Sequence, residues 1–114
     1  MKTSYTIKIA PAALWSLRDA ESWKSFHNDP VSAAQWVDEL LQTSIAAIAQ
    51  EPKRYHHNVM MADKGLLIRE RLSVEHGARC LYDVDEESKT VEILLFVSMK
   101  QDLLSMFYRY VVLN

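Results

Sequence analysis

One cysteine, Cys80, is all that the 114 residues hold, so no disulfide forms within the chain and no Cys-rich zinc site is possible. That usage fits a reducing compartment, and a cytoplasmic protein is expected. Two glycines and three prolines exclude collagen-like and linker-like chains. Positive charge is not in excess: thirteen Lys and Arg stand against fifteen Asp and Glu, a net charge of −2. Binding nucleic acid by bulk charge is therefore disfavoured, and any such role needs a local patch. No stretch approaches the roughly 20 apolar residues of a membrane helix. The N-terminal residues from Met1 to Ile9 alternate in polarity, unlike a signal peptide. Repeats, low-complexity tracts, a Gly-rich phosphate loop and a Gly-x-Ser-x-Gly elbow are all missing. No cofactor and no metal is expected.

What is present is ordinary globular composition, 49% apolar and 25% charged, in a length that suits a single domain over residues 1–114. Tyr5, Ile7 and Ile9 alternate with polar residues and read as a strand. Pro11 sits where a helix starts, and Ala12 to about Phe26 reads as that helix, with Ala13, Leu17, Ala20 and Trp23 facing inward. Asp29 is the expected N-cap of a second helix over Val31–Gln50, with Pro30 as its first residue. Its stripe is Ala34, Val37, Leu41, Ile45 and Ile48. Pro52 ends it, and Lys53 to Lys64 reads as a loop.

The period then changes to two. Leu66–Ser73, Ala78–Val84 and Val91–Val97 read as three strands joined by short turns, an antiparallel meander. The third is apolar on both faces through Leu94 and Phe96 and is expected to be central. Lys100 to Val112 reads as a C-terminal helix with Leu103, Phe107, and Met106 or Tyr110 toward the sheet. The order β-α-α-β-β-β-α is an α+β domain, a helical hairpin on a small twisted sheet that is mainly antiparallel.

This order, with these residues, resembles the RelE/ParE superfamily of bacterial type II toxin–antitoxin toxins. The resemblance runs over nearly the whole chain: the strand Tyr5–Ala10, Ala13 and Leu17, the segment Ala34–Leu40, then Ile45, Ile48 and Pro52. It continues with Arg69 and Arg71 on the next strand, and with Gly77 to Asp85, which looks like the family's Gly-x-Arg…Tyr-x-Val hairpin. It implies the fold above, a cognate antitoxin that wraps the toxin, operator DNA reached only through that antitoxin, and no membrane.

Two branches of the superfamily imply two functions. ParE-like members inhibit DNA gyrase by protein binding and stabilise plasmids. RelE-like members enter the ribosome and cut mRNA, the RNA 2′-OH attacking the adjacent phosphate, which needs a proton acceptor and cations. For the RelE-like chemistry the candidates are Arg69, Arg71, Arg79, Lys100 and Tyr108. Arg69 and Arg71 are two apart on one strand and share a face, and Arg79 on the neighbouring strand is expected to approach it. Lys53–Arg79 carries six basic residues against three acidic ones. The place of a further family arginine falls on Gln101, and that of a family tyrosine on Phe107, which cannot transfer a proton. The ending Met99-Lys100-Gln101-Asp102-Leu103-Leu104 with Arg109 looks ParE-like. The expectation therefore leans to a gyrase-binding toxin, not an enzyme, contacting its target through Met99, Lys100, Gln101, Asp102 and Arg109. mRNA cleavage is the alternative. Trp36 and Leu40, with the outer faces of the two helices, are the expected antitoxin contacts. His56, His57 and His76 could supply a general base or a metal ligand, but loop solvation is the expectation for them, and burial as a small apolar group for Cys80.

Overall fold

A computed structural model describes residues 4–112. A four-residue strand β1 (Thr6–Ile9) leads into helix α1 (Pro11–His27), which turns back into α2 (Pro30–Gln50). A short helix α3 (Val59–Asp63) precedes the strands β2 (Arg69–Ser73), β3 (Ala78–Asp85) and β4 (Thr90–Ser98). Helix α4 (Leu103–Phe107) closes the chain and widens into a π-helical turn over Tyr108–Val112. No helix of the described residues is long and apolar enough to cross a membrane.

The sheet has the order β1-β4-β3-β2. β2, β3 and β4 form the expected antiparallel meander, and β1 lies parallel to β4, with Ile7 opposite Val91 and Ile9 opposite Ile93. β4 is central, and its Val91, Ile93, Leu95, Phe96 and Val97 are all buried. The β2–β3 turn needs a left-handed residue, and Gly77 supplies it at φ 61°. Two core clusters flank the sheet. One joins Ala13 and Leu17 of α1 and Val37, Leu40 and Ile48 of α2 to Cys80, Tyr82, Ile93 and Phe96. The other, on the opposite face, joins Met61 of α3 and Leu103 and Tyr110 of the C-terminal segment to Ile68, Leu81, Leu95 and Val97.

The helix boundaries follow the punctuation in the sequence. Pro11 opens α1. Asp29 caps α2, its carboxylate accepting from the Ser32 amide at 3.0 Å. Several expectations are corrected. The buried line of α2 is Ala33, Val37, Leu40, Ser44 and Ile48, with Ala34 exposed and Leu41 and Ile45 at the flank. Trp23 is 61% exposed and stacks on the His27 ring, 4.2 Å between centres. The loop expected after Pro52 contains α3, capped by Asn58 through the Met61 amide at 2.9 Å.

Candidate functional site

The three arginines do not meet on one face. Register sets Arg69 opposite Tyr82 and Arg71 opposite Cys80, but Arg79 opposite Leu72 and Val97. Side chains alternate between faces along a strand. Arg69 and Arg71 therefore share the helical-hairpin face as expected, and Arg79 stands on the other. The first two are also occupied. Arg69 Nη1 donates to the carbonyls of Lys53 (3.2 Å) and Tyr55 (2.5 Å), closing the loop after α2 over the sheet edge. Arg71 Nη1 donates to the Ser44 hydroxyl on α2 at 3.3 Å. Burial pushes the Cys80 thiol and the Tyr82 phenol up, and these two guanidinium charges partly oppose that rise.

Arg79 belongs to a polar cluster around Glu70, the pairing that a plain reading of the strand arginines allows. Its Nη1 lies 3.5 Å from Glu70 Oε2, which also accepts from Asn58 Nδ2 at 2.9 Å. The other oxygen, Oε1, lies 3.6 Å from His56 Nε2. The Glu70 side chain is only 10% exposed, that of His56 71% and that of Arg79 24%. Arg79 Nε is buried without an acceptor. The available signal was the strict alternation of β2, which forces Glu70 onto the opposite face from Arg69 and Arg71.

A cleft of about 880 Å³ opens between the hairpin and the C-terminal segment. Its walls are α1 around Asp19, Trp23 and Lys24, α2 at Trp36 and Leu40, the turn at His76 and Gly77, the end of β4, and Met99 to Gln101 with Met106 and Arg109. Both groups expected from the sequence as contacts, Met99, Lys100, Gln101 and Arg109 for the target and Trp36 and Leu40 for an antitoxin, therefore line one cavity. Leu40, at 1% exposure, is its floor and not an outer contact. Asp102 is not in the lining; it caps α4, accepting from the Leu104 amide at 3.1 Å and the Ser105 hydroxyl at 2.9 Å. Gln101 accepts from the Ser98 amide at 2.9 Å and shapes the loop. Lys100 is exposed. Lys24 lies 4.4 Å from the Trp36 ring centre, a cation–π contact. Tyr108, a candidate proton-transfer residue, is 56% exposed and lies outside the lining.

His76 is buried, not solvated as expected. Its Nδ1 is 2.8 Å from Ser73 Oγ, its Nε2 is 3.6 Å from Glu39 Oε2, and its ring meets Trp36 edge-on at 5.9 Å. These contacts tie the β2–β3 turn to α2 and firm the cleft wall. His57 is half-buried and bridges to Arg69. Among the described residues, no group of three or more His, Cys, Asp or Glu stands ready to hold a metal.

No family profile matches the sequence, and no curated protein matches it. Solved structures do match. A double arginine mutant of the toxin RelE from E. coli, in the free state, superposes with a TM-score of 0.58 at 16% identity, over 96% of each chain. The isolated E. coli RelE toxin gives 0.56 at 15% identity, over 96% of this chain and 100% of that one. The toxin–antitoxin complex RelBE2 from Mycobacterium tuberculosis gives 0.55 at 19% identity, over 84% of this chain and 99% of that one. At these identities the likeness is one of fold, and the chain has the fold of the RelE toxins.

Proposed function

We propose that this chain is the toxin of a type II toxin–antitoxin module, neutralised by a cognate antitoxin, and that it acts by ribosome-dependent cleavage of mRNA. The observation that carries the reading is the shared cleft. Trp36 lines the same cavity as Met99, Lys100 and Arg109, so an antitoxin segment seated there covers the surface the target needs. Neutralisation then follows from competition and requires no change of shape. The cations Lys24, Lys100 and Arg109 beside Trp36 and Trp23 suit a phosphate backbone with bases to stack, as ribosomal RNA offers. RelE likeness across the whole fold supports this target over gyrase.

A second reading, gyrase inhibition by binding alone, is favoured by one observation: Arg69 and Arg71 each turn a guanidinium nitrogen, Nη1, inward to the protein. One pair of assays separates the two. Purified chain, stripped of antitoxin, is added to a translating extract and to a gyrase supercoiling reaction. Cut mRNA with unaffected gyrase is expected. Intact mRNA in the presence of folded chain overturns the reading, and trapped gyrase–DNA complexes replace it with the second.

A further inference from the structure

Four aromatic rings, Trp23, Phe26, His27 and Trp36, lie toward the α1–α2 turn. Trp36 packs against the first core cluster, with the Lys24 ammonium 4.4 Å from its ring centre. Trp23 and Phe26 belong to neither cluster, and Phe26, at 86%, is the most exposed large apolar side chain among the described residues. Phe26 and His27 follow Trp23 by three and four positions on α1, so the three rings share one face of the helix. His27 Nδ1 donates to the Trp23 carbonyl at 2.9 Å. That bond holds the imidazole on the indole, 4.2 Å between ring centres and 28° between planes. Phe26 meets the same imidazole at 5.2 Å and 68°. Rings fixed in this way lose little freedom when a partner covers them.

Positive charge lies beside these rings. Trp23 also lines the cleft, whose charged lining is Lys24, Lys100 and Arg109 against Asp19 alone, in a chain of net charge −2. The Asp19 carboxylate is itself engaged by the Tyr110 hydroxyl. The partner that matches this surface is a polyanion with flat apolar groups. An acidic peptide segment supplies the charge but few rings, and a duplex keeps its bases inside its own stack. A single strand supplies both. We infer that Trp23, Phe26 and His27 form a ledge on which unpaired RNA bases stack, with the adjoining phosphates held by Lys24 and Lys100 at the cleft. The choice of RNA rests on the mRNA-cleavage reading above, whose contact surface the ledge extends from the cleft onto the outside of α1. Stacking reads no sequence, since every base has a π-face. The ledge therefore grips RNA of any sequence and does so without the ribosome.

The test measures binding of a single-stranded oligoadenylate to the antitoxin-free full chain by tryptophan fluorescence, with inorganic polyphosphate as a probe that has charge and no bases. Thermal melts check the folding of each variant, and a translating extract reports mRNA cleavage by the native chain. Oligoadenylate is expected to bind and quench the fluorescence. Trp23→Ala and Phe26→Ala each weaken it roughly fivefold or more, Trp23→Phe keeps most of the affinity, and polyphosphate binding stays as in the native chain. Salt separates the two parts of the surface. Lys24→Ala lowers the slope of log affinity on log salt by about 0.7, the share of one phosphate on a single strand, and Trp23→Ala leaves it unchanged. Failure of the folded native chain to bind oligoadenylate, or ledge variants that bind within about twofold of native, overturn the inference, and cleavage in the extract then leaves the earlier reading standing. Loss of polyphosphate in step with oligoadenylate also overturns it, because stacking needs bases. Ledge variants that release a cognate antitoxin but keep oligoadenylate assign the face to the antitoxin and overturn it as well. Oligoadenylate held through the ledge by a chain that cuts no mRNA overturns the cleavage reading and supports the ledge.

Discussion

Tyr110 shows how one side chain ties distant parts of the chain together, and how alkali should undo it. Its hydroxyl donates to the Asp19 carboxylate on α1, and burial together with that bond pushes the phenol up to about 12. A tyrosine whose folded pKa lies above its unfolded value keeps its full contribution while both states hold the proton, and loses it once the unfolded phenol ionises and the folded one does not. The bond's contribution is therefore whole below about pH 10 and is lost as pH rises toward 12. Tyr82 and Cys80, also pushed up by burial, act in the same direction. Tyr110→Phe should cost about 1.5–3 kcal/mol at neutral pH, the range for a hydrogen bond to a charged partner. In urea titrations the gap between native and variant should narrow between pH 10 and 12. A gap that stays constant over that range would show that the bond contributes nothing to the alkaline loss.

Elements report what periodicity can and cannot reveal. The strands and long helices were legible because period two and period 3.6 are local signals, and Asp29-Pro30 marked the start of α2. The buried line of α2 was misplaced by one position at Ala34, Leu41 and Ile45. Apolar residues lie on both sides of the true line, and one member, Ser44, is polar but fully buried beneath Arg71. Helix α3 was missed because five residues are too few to show a period. A further hidden device lies at the edge of β4. β1 pairs with it only as far as Ile93, so the Phe96 amide turns to the Ser16 hydroxyl of α1 at 3.1 Å, which itself donates to the Ala13 carbonyl at 2.7 Å. Ser16→Ala strands a buried N–H and should destabilise by about 1–3 kcal/mol. For a domain of this size each kcal/mol lowers the melting temperature by roughly 4–8 °C. An unchanged melting temperature would show that Phe96 finds another acceptor.

At the scale of the whole molecule, sites are products of register and packing, which no local pattern encodes. Arg69, Arg71 and Arg79 looked like one cluster, and only the β2–β3 register separates them. The cleft was half visible, since its C-terminal residues were named from the sequence, but His76 and Lys24 reach it from other elements. That assembly decides what a C-terminal truncation would report. Trimming the chain after Gln101 removes Leu103 and Tyr110, which are 3% and 5% exposed in the second core cluster, and with them the bond to Asp19. Leu81, Leu95 and Val97 then lose their cover. Such a truncation should lose cooperative unfolding and bind a hydrophobic dye, so its inactivity would report lost structure and not a lost contact. Lys100→Glu is the cleaner probe. The side chain is exposed at the cleft, and reversing its charge should leave the melting temperature within about 1 °C, since surface changes cost little. On the proposed mRNA-cleavage function, ribosome affinity should fall about tenfold or more as phosphate attraction turns to repulsion, with a weaker dependence on salt. Native affinity in a folded Lys100→Glu variant would remove the cleft from target binding and leave it to the antitoxin alone.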